Sequence, residues 1–288
     1  MGELIPLFPL GTPAFPGVVL PLQIFEPRYR RLMRDLMALP EAGDRRFFGV
    51  VAIRQGWEVE QVAPAEALYD IGCTARLQAI RPQPDGGFRI VTVGGDRFRL
   101  LDVVVGDDPP YLQAEVEWLA EEAAAEEAAG DSDGVVAELG HVAALGASGD
   151  PHAPDDLAEV VASTAQGSMT VLARGVRELF TRYVSEVAGL NYGRGDSGRS
   201  ESGRGEAVDA ETAVLVGAVA NDPTALSYLV ASVALLTTED RQALLAESAT
   251  RRRLAAESRL LRRELTRLTA LGAVPASLHE FATPMTVN

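Results

Sequence analysis

The chain has 288 residues, a net charge of −15 and 26 basic residues, all of them arginine. A phosphate-binding Gly-x-x-x-x-Gly-Lys-Ser/Thr loop needs a lysine ammonium, and a Ser–Lys nucleophile needs a base that can lose its proton; arginine supplies neither. Nucleotide hydrolysis through such a loop and Ser–Lys peptidase chemistry are therefore excluded for these residues.

Leu4 to Tyr29 opens the chain with runs of Leu, Ile, Val and Phe punctuated by Pro6, Pro9, Pro13, Pro16, Pro21 and Pro27. Proline lacks an amide donor, so these runs predict short, bent edge strands that could dock another polypeptide. Pro27 then suits a first helical turn, and Tyr29, Leu32, Met33, Leu36 and Met37 share one helical face. Phe47–Ile53 reads as a buried strand. Cys73 lies in a strand-like run and reads as a small buried apolar residue. Asp85-Gly86-Gly87 predicts a hairpin turn. Phe98 and Leu100 alternate with Arg97 and Arg99, and Leu112, Ala114, Val116 and Trp118 alternate with Gln113, Glu115 and Glu117, each a two-residue period with one wet face. Many short strands with one inserted helix predict a small closed or nearly closed β-barrel over 1–118.

The texture changes at about 119. Residues 119–170 carry 11 acids and no arginine, and 119–156 read as an acidic linker with a helix-prone stretch at Ala120–Ala129. Residues 157–288 predict a helical subdomain. Its first helix uses Leu157, Val160, Val161, Val171, Leu172, Val176, Leu179, Phe180, Tyr183 and Val187. The Gly/Ser/Arg-rich stretch at 193–206 predicts a mobile loop. Asn221-Asp222-Pro223 and Thr237 or Thr238 read as helix starts, and Ser248–Thr250 as a break. Leu254, Leu261, Leu265 and Leu268 form a core-packing stripe, while Arg251–Arg253 and Arg262-Arg263 read as solvated faces paired with Glu257 and Glu264.

Catalytic sets are thin. His141, His152 and His279 lack metal-ligand spacing, and Ser163, Ser168 and Ser227 lack a nucleophile elbow. No motif calls for a metal or a cofactor, and the expectation is a protein that is not an enzyme. One cysteine, no N-terminal targeting pattern and no apolar run near the ~18 residues that span a bilayer predict a cytoplasmic chain without membrane contact. The acidic total disfavours nucleic acid.

Phe15-Pro-Gly-Val-Val-Leu-Pro-Leu-Gln-Ile-Phe-Glu-Pro-Arg-Tyr29 resembles the first signature of the substrate-binding domain of Lon-type ATP-dependent proteases. Ile71–Leu77, Asp85–Phe88, Gly95–Phe98, Asp222-Pro223, Leu229–Ala231, Arg241–Leu245 and Arg253–Leu265 are similar to further parts of that domain. The resemblance implies an α+β fold: a PUA-like, mostly antiparallel β-barrel subdomain, then an α-helical bundle. It also implies recognition of unfolded or tagged protein segments, with a separate protease as a further partner. By its length and its lack of lysine the chain looks like a stand-alone member of the family, without the ATPase and protease domains.

The leading reading is therefore a non-catalytic module that binds extended protein segments, an adaptor or chaperone-like factor in proteolysis. Its candidate contacts are Phe15, Pro16, Phe25 and Tyr29, with Glu26 and Arg28 as polar rim. Against this stands the reading of Phe25 and Tyr29 as core, and of Glu26 with Arg28 as a clamp on the strand-to-helix turn. Trp57 and Tyr111 read either as exposed anchors or as ordinary strand residues. RNA binding through Arg76, Arg81, Arg89, Arg97 and Arg99 is the alternative carried by PUA-like folds in general, and a small-molecule sensor is a third.

Overall fold

In the computed structural model of the chain, the described residues are 2–40, 45–54, 66–122, 153–192, 214, 216–219 and 221–271, with side chains given for 167–189 of the long helix. The expectations for Trp57, the three histidines, the Ala-rich stretch beyond Glu122 and the loop at 193–206 lie outside the described residues. The chain divides into two units. The first takes the described residues of Met1–Ala120 and Tyr228–Ala246, the second those of Glu121–Ser227 and Glu247–Gly272.

The first unit is built on six strands, β1 (Glu3–Leu10), β2 (Val19–Ile24), β3 (Phe47–Ala52), β4 (Ile71–Pro82), β5 (Phe88–Val104) and β6 (Gln113–Leu119), with helix α1 (Pro27–Ala38) between β2 and β3. The ladder runs β2-β5-β4-β3-β1-β6, and β5 also pairs with β6. That last pairing closes β5-β4-β3-β1-β6 into a five-stranded barrel and leaves β2 as a sixth strand on the flank of β5. All pairings are antiparallel except β1 with β3. Strand β5 is long enough to serve two sets of neighbours. Phe88–Val93 pairs with both β2 and β4, and Arg97–Val104 pairs with β6.

The prolines of β1 do not make it an edge. Its first half, Glu3–Pro6, pairs with β6, and its second half, Leu7–Leu10, pairs with β3. The Leu7 amide donates toward β6, to the Leu112 carbonyl at 2.8 Å, while the Leu10 carbonyl accepts on the β3 side, from Ile53 at 2.8 Å. Backbone groups alternate sides along a strand. Pro9 therefore faces the β6 side after that ladder has ended, and Pro6 faces the β3 side before that ladder begins. Each missing donor falls where the strand has no partner, so β1 is a barrel stave and the expected bent edge is confined to β2.

Ile5, Leu7, Val51, Leu68, Phe98, Ala114 and Val116 form one buried cluster. Helix α1 starts at Pro27 and buries Tyr29, Leu32, Met33 and Leu36, the expected face. At the β4–β5 hairpin, Gly86 has φ of +79°, and the Gly87 amide donates to Asp85 Oδ1 at 2.9 Å. The positive φ is why glycine stands there. Cys73 is buried, and burial pushes its thiol up to about 12, so it is a packing residue without nucleophilic character.

Two helices of the C-terminal region contribute to this unit as well. They are the Tyr228–Val233 end of α3 (Pro223–Val233) and α4 (Thr238–Ala246). Gln242 donates to the Ile71 carbonyl at 2.8 Å, and Arg97 to the Leu245 carbonyl at 2.9 Å and the Ala120 carbonyl at 3.1 Å. Arg97 occupies a position that reads as wet by alternation, yet it is buried. Backbone carbonyls distant in sequence stand in for water around its guanidinium.

The second unit contains α2 (Ala153–Tyr192) and α5 (Thr250–Leu271), which pack on one another. Helix α2 begins at Ala153, earlier than the loop expected through Pro154. Met169, Ala173, Val176, Phe180 and Tyr183 are its buried stripe, whereas Val171, expected on the apolar side, is exposed. Leu254, Leu261, Leu265 and Leu268 are all buried, as core packing requires. Asp222 Oδ1 accepts from the Ala225 amide at 2.9 Å and caps α3 one residue before Pro223. Thr237 caps α4 in the first unit the same way, through the Asp240 amide at 3.2 Å.

One expected solvated face is not one. Arg253 is fully buried and donates to Ser227 Oγ at 2.8 Å, Glu121 Oε2 at 3.0 Å, Thr250 Oγ1 at 3.2 Å and the Glu247 carbonyl. Glu257, one turn on, is buried with both carboxyl oxygens lacking a hydrogen-bond partner among the described residues. Burial pushes its carboxyl well above the ordinary 4.5, and the Arg253 charge only partly opposes this. Glu264 does pair as expected, with Arg263 at 2.7 Å and Arg267 at 2.8 Å. No helix among the described residues is long and apolar enough to cross a membrane.

Candidate functional site

The candidate site is assembled around β2. The chain reaches it through Ala14 and Phe15, both buried. The Phe15 ring lies 6.3 Å from the Tyr228 ring, and the Arg241 guanidinium sits 6.0 Å from its centroid. Arg241 is in turn held by the Ala231 and Ser232 carbonyls near the end of α3. Pro16 is half-buried, and the turn after it is fixed by the Gly17 amide on the Gly94 carbonyl, 2.9 Å, and the Gly94 amide on the Val18 carbonyl, 2.9 Å.

Strand β2 then runs antiparallel to β5, from Val19 opposite Val93 to Ile24 opposite Phe88. Leu20, Leu22 and Ile24 turn toward the interior, while Val19, Pro21 and Gln23 turn outward, and Phe25 continues the outward row past the strand end. Val19 is 58 % exposed and Phe25 67 %; Val91, opposite Pro21 on β5, is 39 % exposed. Val19, Pro21 and Val91 thus lie side by side on an outer face, and Phe25 follows beyond the Gln23 row.

Register places the neighbouring rows. Pro21, Val91 and Ala79 lie abreast across β2, β5 and β4, and the next row is Gln23, Arg89 and Arg81. The backbone of Pro21 falls on the alternate positions that face away from β5, because Val18 and Leu20 carbonyls are the ones turned to it. No other strand pairs with that free side among the described residues. An incoming strand would meet acceptors at Val19, Pro21 and Gln23 but a missing donor in the middle. Proline thus blunts the edge against a continuous added ladder.

Two expected contact residues are corrected by burial. Phe15 is 2 % and Tyr29 3 % exposed, so both support the face from beneath. The Tyr29 ring lies 4.1 Å from the Phe8 ring at a tilt of 41°, and burial pushes its hydroxyl up to about 12, which keeps it a neutral phenol. Phe25 is the aromatic that faces outward. Glu26 makes no side-chain cap on α1; it accepts from Arg28 Nε at 2.8 Å, and the Arg28 guanidinium lies 4.8 Å over the Tyr29 ring. Both are half-exposed, so this clamp contributes only about 0–1 kcal/mol. Tyr111, left open between anchor and strand residue, is buried, with its hydroxyl donating to Asp35 Oδ2 at 3.1 Å.

The arginines considered for RNA do not gather into one patch. Arg97 is buried, Arg76 pairs with Asp96 at 3.3 Å and Arg99 with Glu117 at 3.1 Å. Only Arg81 and Arg89 remain exposed without a side-chain partner among the described residues. Composition did not single out Val19, Pro21 or Val91. The signal available for the first two was parity: both share the odd phase of Phe25. Val91 and the Arg81–Arg89 pair emerge only from the β2-β5-β4 register.

Lon protease 1 of Herpetosiphon aurantiacus is 26 % identical over 258 residues, covering 89 % of this chain and 24 % of that protein. Lon protease of Anaeromyxobacter dehalogenans is 32 % identical over 114 residues, 39 % of this chain and 12 % of that protein. The chain thus spans a quarter or less of the length of these relatives. The N-terminal domain of the Mycobacterium avium complex Lon protease superposes with a TM-score of 0.52 at 15 % identity, covering 90 % of this chain and 98 % of that structure, a likeness of fold. The model of one family, the ATP-dependent protease La (LON) substrate-binding domain, matches residues 4–263. The chain belongs to the ATP-dependent protease La (LON) substrate-binding domain family.

Proposed function

We propose that the outward face of β2 receives extended or unfolded polypeptide and that the protein is a non-catalytic recognition module, working in the cytoplasm as an adaptor or holdase for a separate protease. The observation that carries this is the exposed apolar strip of Val19, Pro21, Val91 and Phe25. Family membership supports it, and the absence of lysine puts ATP hydrolysis through a Gly-x-x-x-x-Gly-Lys-Ser/Thr loop and Ser–Lys proteolysis outside these 288 residues. Because Pro21 interrupts the free edge, binding rests on side-chain contact over the strip rather than on strand addition. The RNA reading has little to stand on, since three of its five arginines are buried or paired.

The test is a labelled, permanently unfolded polypeptide titrated against the protein. A Val19→Ser/Phe25→Ser variant should bind about 30-fold more weakly, the effect of losing a hot spot of about 2 kcal/mol. Its thermal stability should stay close to that of the parent, because both side chains are largely outside the core. Unchanged affinity in a folded variant would remove the strip from the site.

A further inference from the structure

Resting on that reading, we propose that the strip selects polypeptide segments in which an acidic residue alternates with large apolar ones. The pattern is apolar-x-apolar-x-Asp/Glu-x-apolar, and Arg81 and Arg89 receive the carboxylate.

Four rows cross the outer face in order along β2: Val19 with Val93 and, on β4, Arg76, which is paired with Asp96; Pro21 with Val91 and Ala79; Gln23 with Arg89 and Arg81; and last Phe25. Alternate residues of a strand are about 6.8 Å apart, and side chains on one face of a bound extended segment repeat at the same distance. A segment lying along β2 therefore presents its own alternate side chains to successive rows: two whose β2 and β5 members are apolar, the Gln23–Arg89–Arg81 row third, the Phe25 row fourth.

The basic row is unusual in its charge. Arg81 and Arg89 are direct cross-strand partners, both exposed, with no carboxylate engaged among the described residues. Like charges placed directly opposite on a sheet disfavour the fold. Here they do so in a chain of net charge −15, where acids are the commoner neighbours. In the hairpin that joins the two arginines, the Asp85 carboxylate accepts from the Gly87 amide, and Glu26 beyond the end of β2 is paired with Arg28. Two guanidinium forks flanked by apolar rows match a carboxylate carried between apolar side chains. A nucleic-acid strand fits poorly, because a phosphate at every step would have to cross Val19, Val91 and Phe25.

The experiment compares three heptapeptides that differ only at the fifth position, Asp, Asn or Lys, with apolar residues at the first, third and seventh. Against the parent protein the Asp peptide should bind about fivefold more tightly than the Asn peptide, the Lys peptide should be weakest, and the differences should shrink in high salt. An Arg81→Gln/Arg89→Gln variant should bind all three alike while melting no lower than the parent, since it relieves the opposed charges. An Arg81→Glu/Arg89→Glu variant should prefer the Lys peptide. Binding of the Asn peptide to the parent with no discrimination by charge would overturn this inference and leave the Proposed function standing. Failure of all three to bind would overturn both. Single-stranded RNA binding that depends on these arginines, with equal affinity for the three peptides, would also overturn it.

Discussion

Replacing Gly94 by alanine should destabilise the β-barrel by about 3 kcal/mol, near the upper end of ordinary overpacking, and lower Tm by roughly 6–12 °C. A Cβ at Gly94 would lie 1.9 Å from the Phe15 carbonyl oxygen, 2.7 Å from its carbon and 3.2 Å from the Pro16 nitrogen. These are backbone atoms and cannot swing aside as a flexible side-chain tip would. Relief requires moving Phe15, which is locked against Tyr228 and Arg241, or breaking the two hydrogen bonds that Gly94 makes to Gly17 and Val18. Either route disturbs the turn from which β2 departs, so polypeptide binding should weaken together with stability. Gly11→Ala is the control: nothing lies within 4 Å of its added carbon, and its effect should stay within about 0.5 kcal/mol. Thermal melts of the two variants decide the matter. Equal Tm values would contradict the close crossing of the Phe15 carbonyl over β5.

Replacing Arg253 by methionine should cost the second unit about 3–5 kcal/mol, as expected when one partner of a buried charged network is removed. Methionine fills similar space but donates nothing. Ser227 Oγ, Glu121 Oε2, Thr250 Oγ1 and the Glu247 carbonyl all lose a donor at once. The penalty should also depend on pH, because Arg253 is the charge opposing the upward push on buried Glu257. The folded chain holds the Glu257 proton where the unfolded chain, near 4.5, has released it. Its contribution is therefore fully present below about pH 4.5 and is lost as pH rises toward the folded value. Without Arg253 that folded value moves higher and the loss continues further, so the variant's deficit should be at least as large at pH 8 as at pH 4.5. An Arg253→Met/Glu257→Leu double variant should recover part of the deficit at pH 8. Urea titrations at the two pH values measure this, and a single variant within 1 kcal/mol of the parent at pH 8 would contradict it.

Local signals carried much of the architecture. Pro27 and the Tyr29-Leu32-Met33-Leu36 spacing specify α1, Asp85-Gly86-Gly87 specifies the hairpin, and the leucines of α5 specify its buried face. These depend on residues within a few positions of one another. Two kinds of feature escaped. Arg97 and Arg253 read as solvated because arginine in an alternating or charged run usually is. Each is instead buried against carbonyls or carboxylates from distant segments, Leu245 lying 148 positions from Arg97 and Glu121 lying 132 positions from Arg253. The roles of the β1 prolines escaped for a similar reason, because whether a missing amide matters depends on where one ladder stops and the next begins.

The sequence marked the segment of the proposed site but did not separate its buried residues from its exposed ones. Phe15, Phe25 and Tyr29 stand close in sequence and look alike, yet two are core and one faces outward. The difference lies in phase: Phe25 continues the exposed row of β2, whereas Tyr29 belongs to the inner face of α1 and Phe15 precedes the turn at Gly17. The arginine pair needed the pairing of β4 with β5, and an irregularity between Leu77 and Ala79 shifts that register by a residue, which alternation alone does not reveal.

The most direct measurement is site-specific photo-crosslinking. A benzophenone amino acid in place of Phe25, and in a second protein in place of Leu101, would be irradiated with an unfolded polypeptide. Leu101 is the comparison because it is an exposed apolar residue on the same strand as Val91, far along β5 from the rows beside β2. Covalent adducts forming from position 25 and not from position 101 are the predicted result. Adducts of equal yield at both positions, or at 101 alone, would contradict a docking strip on the face of β2.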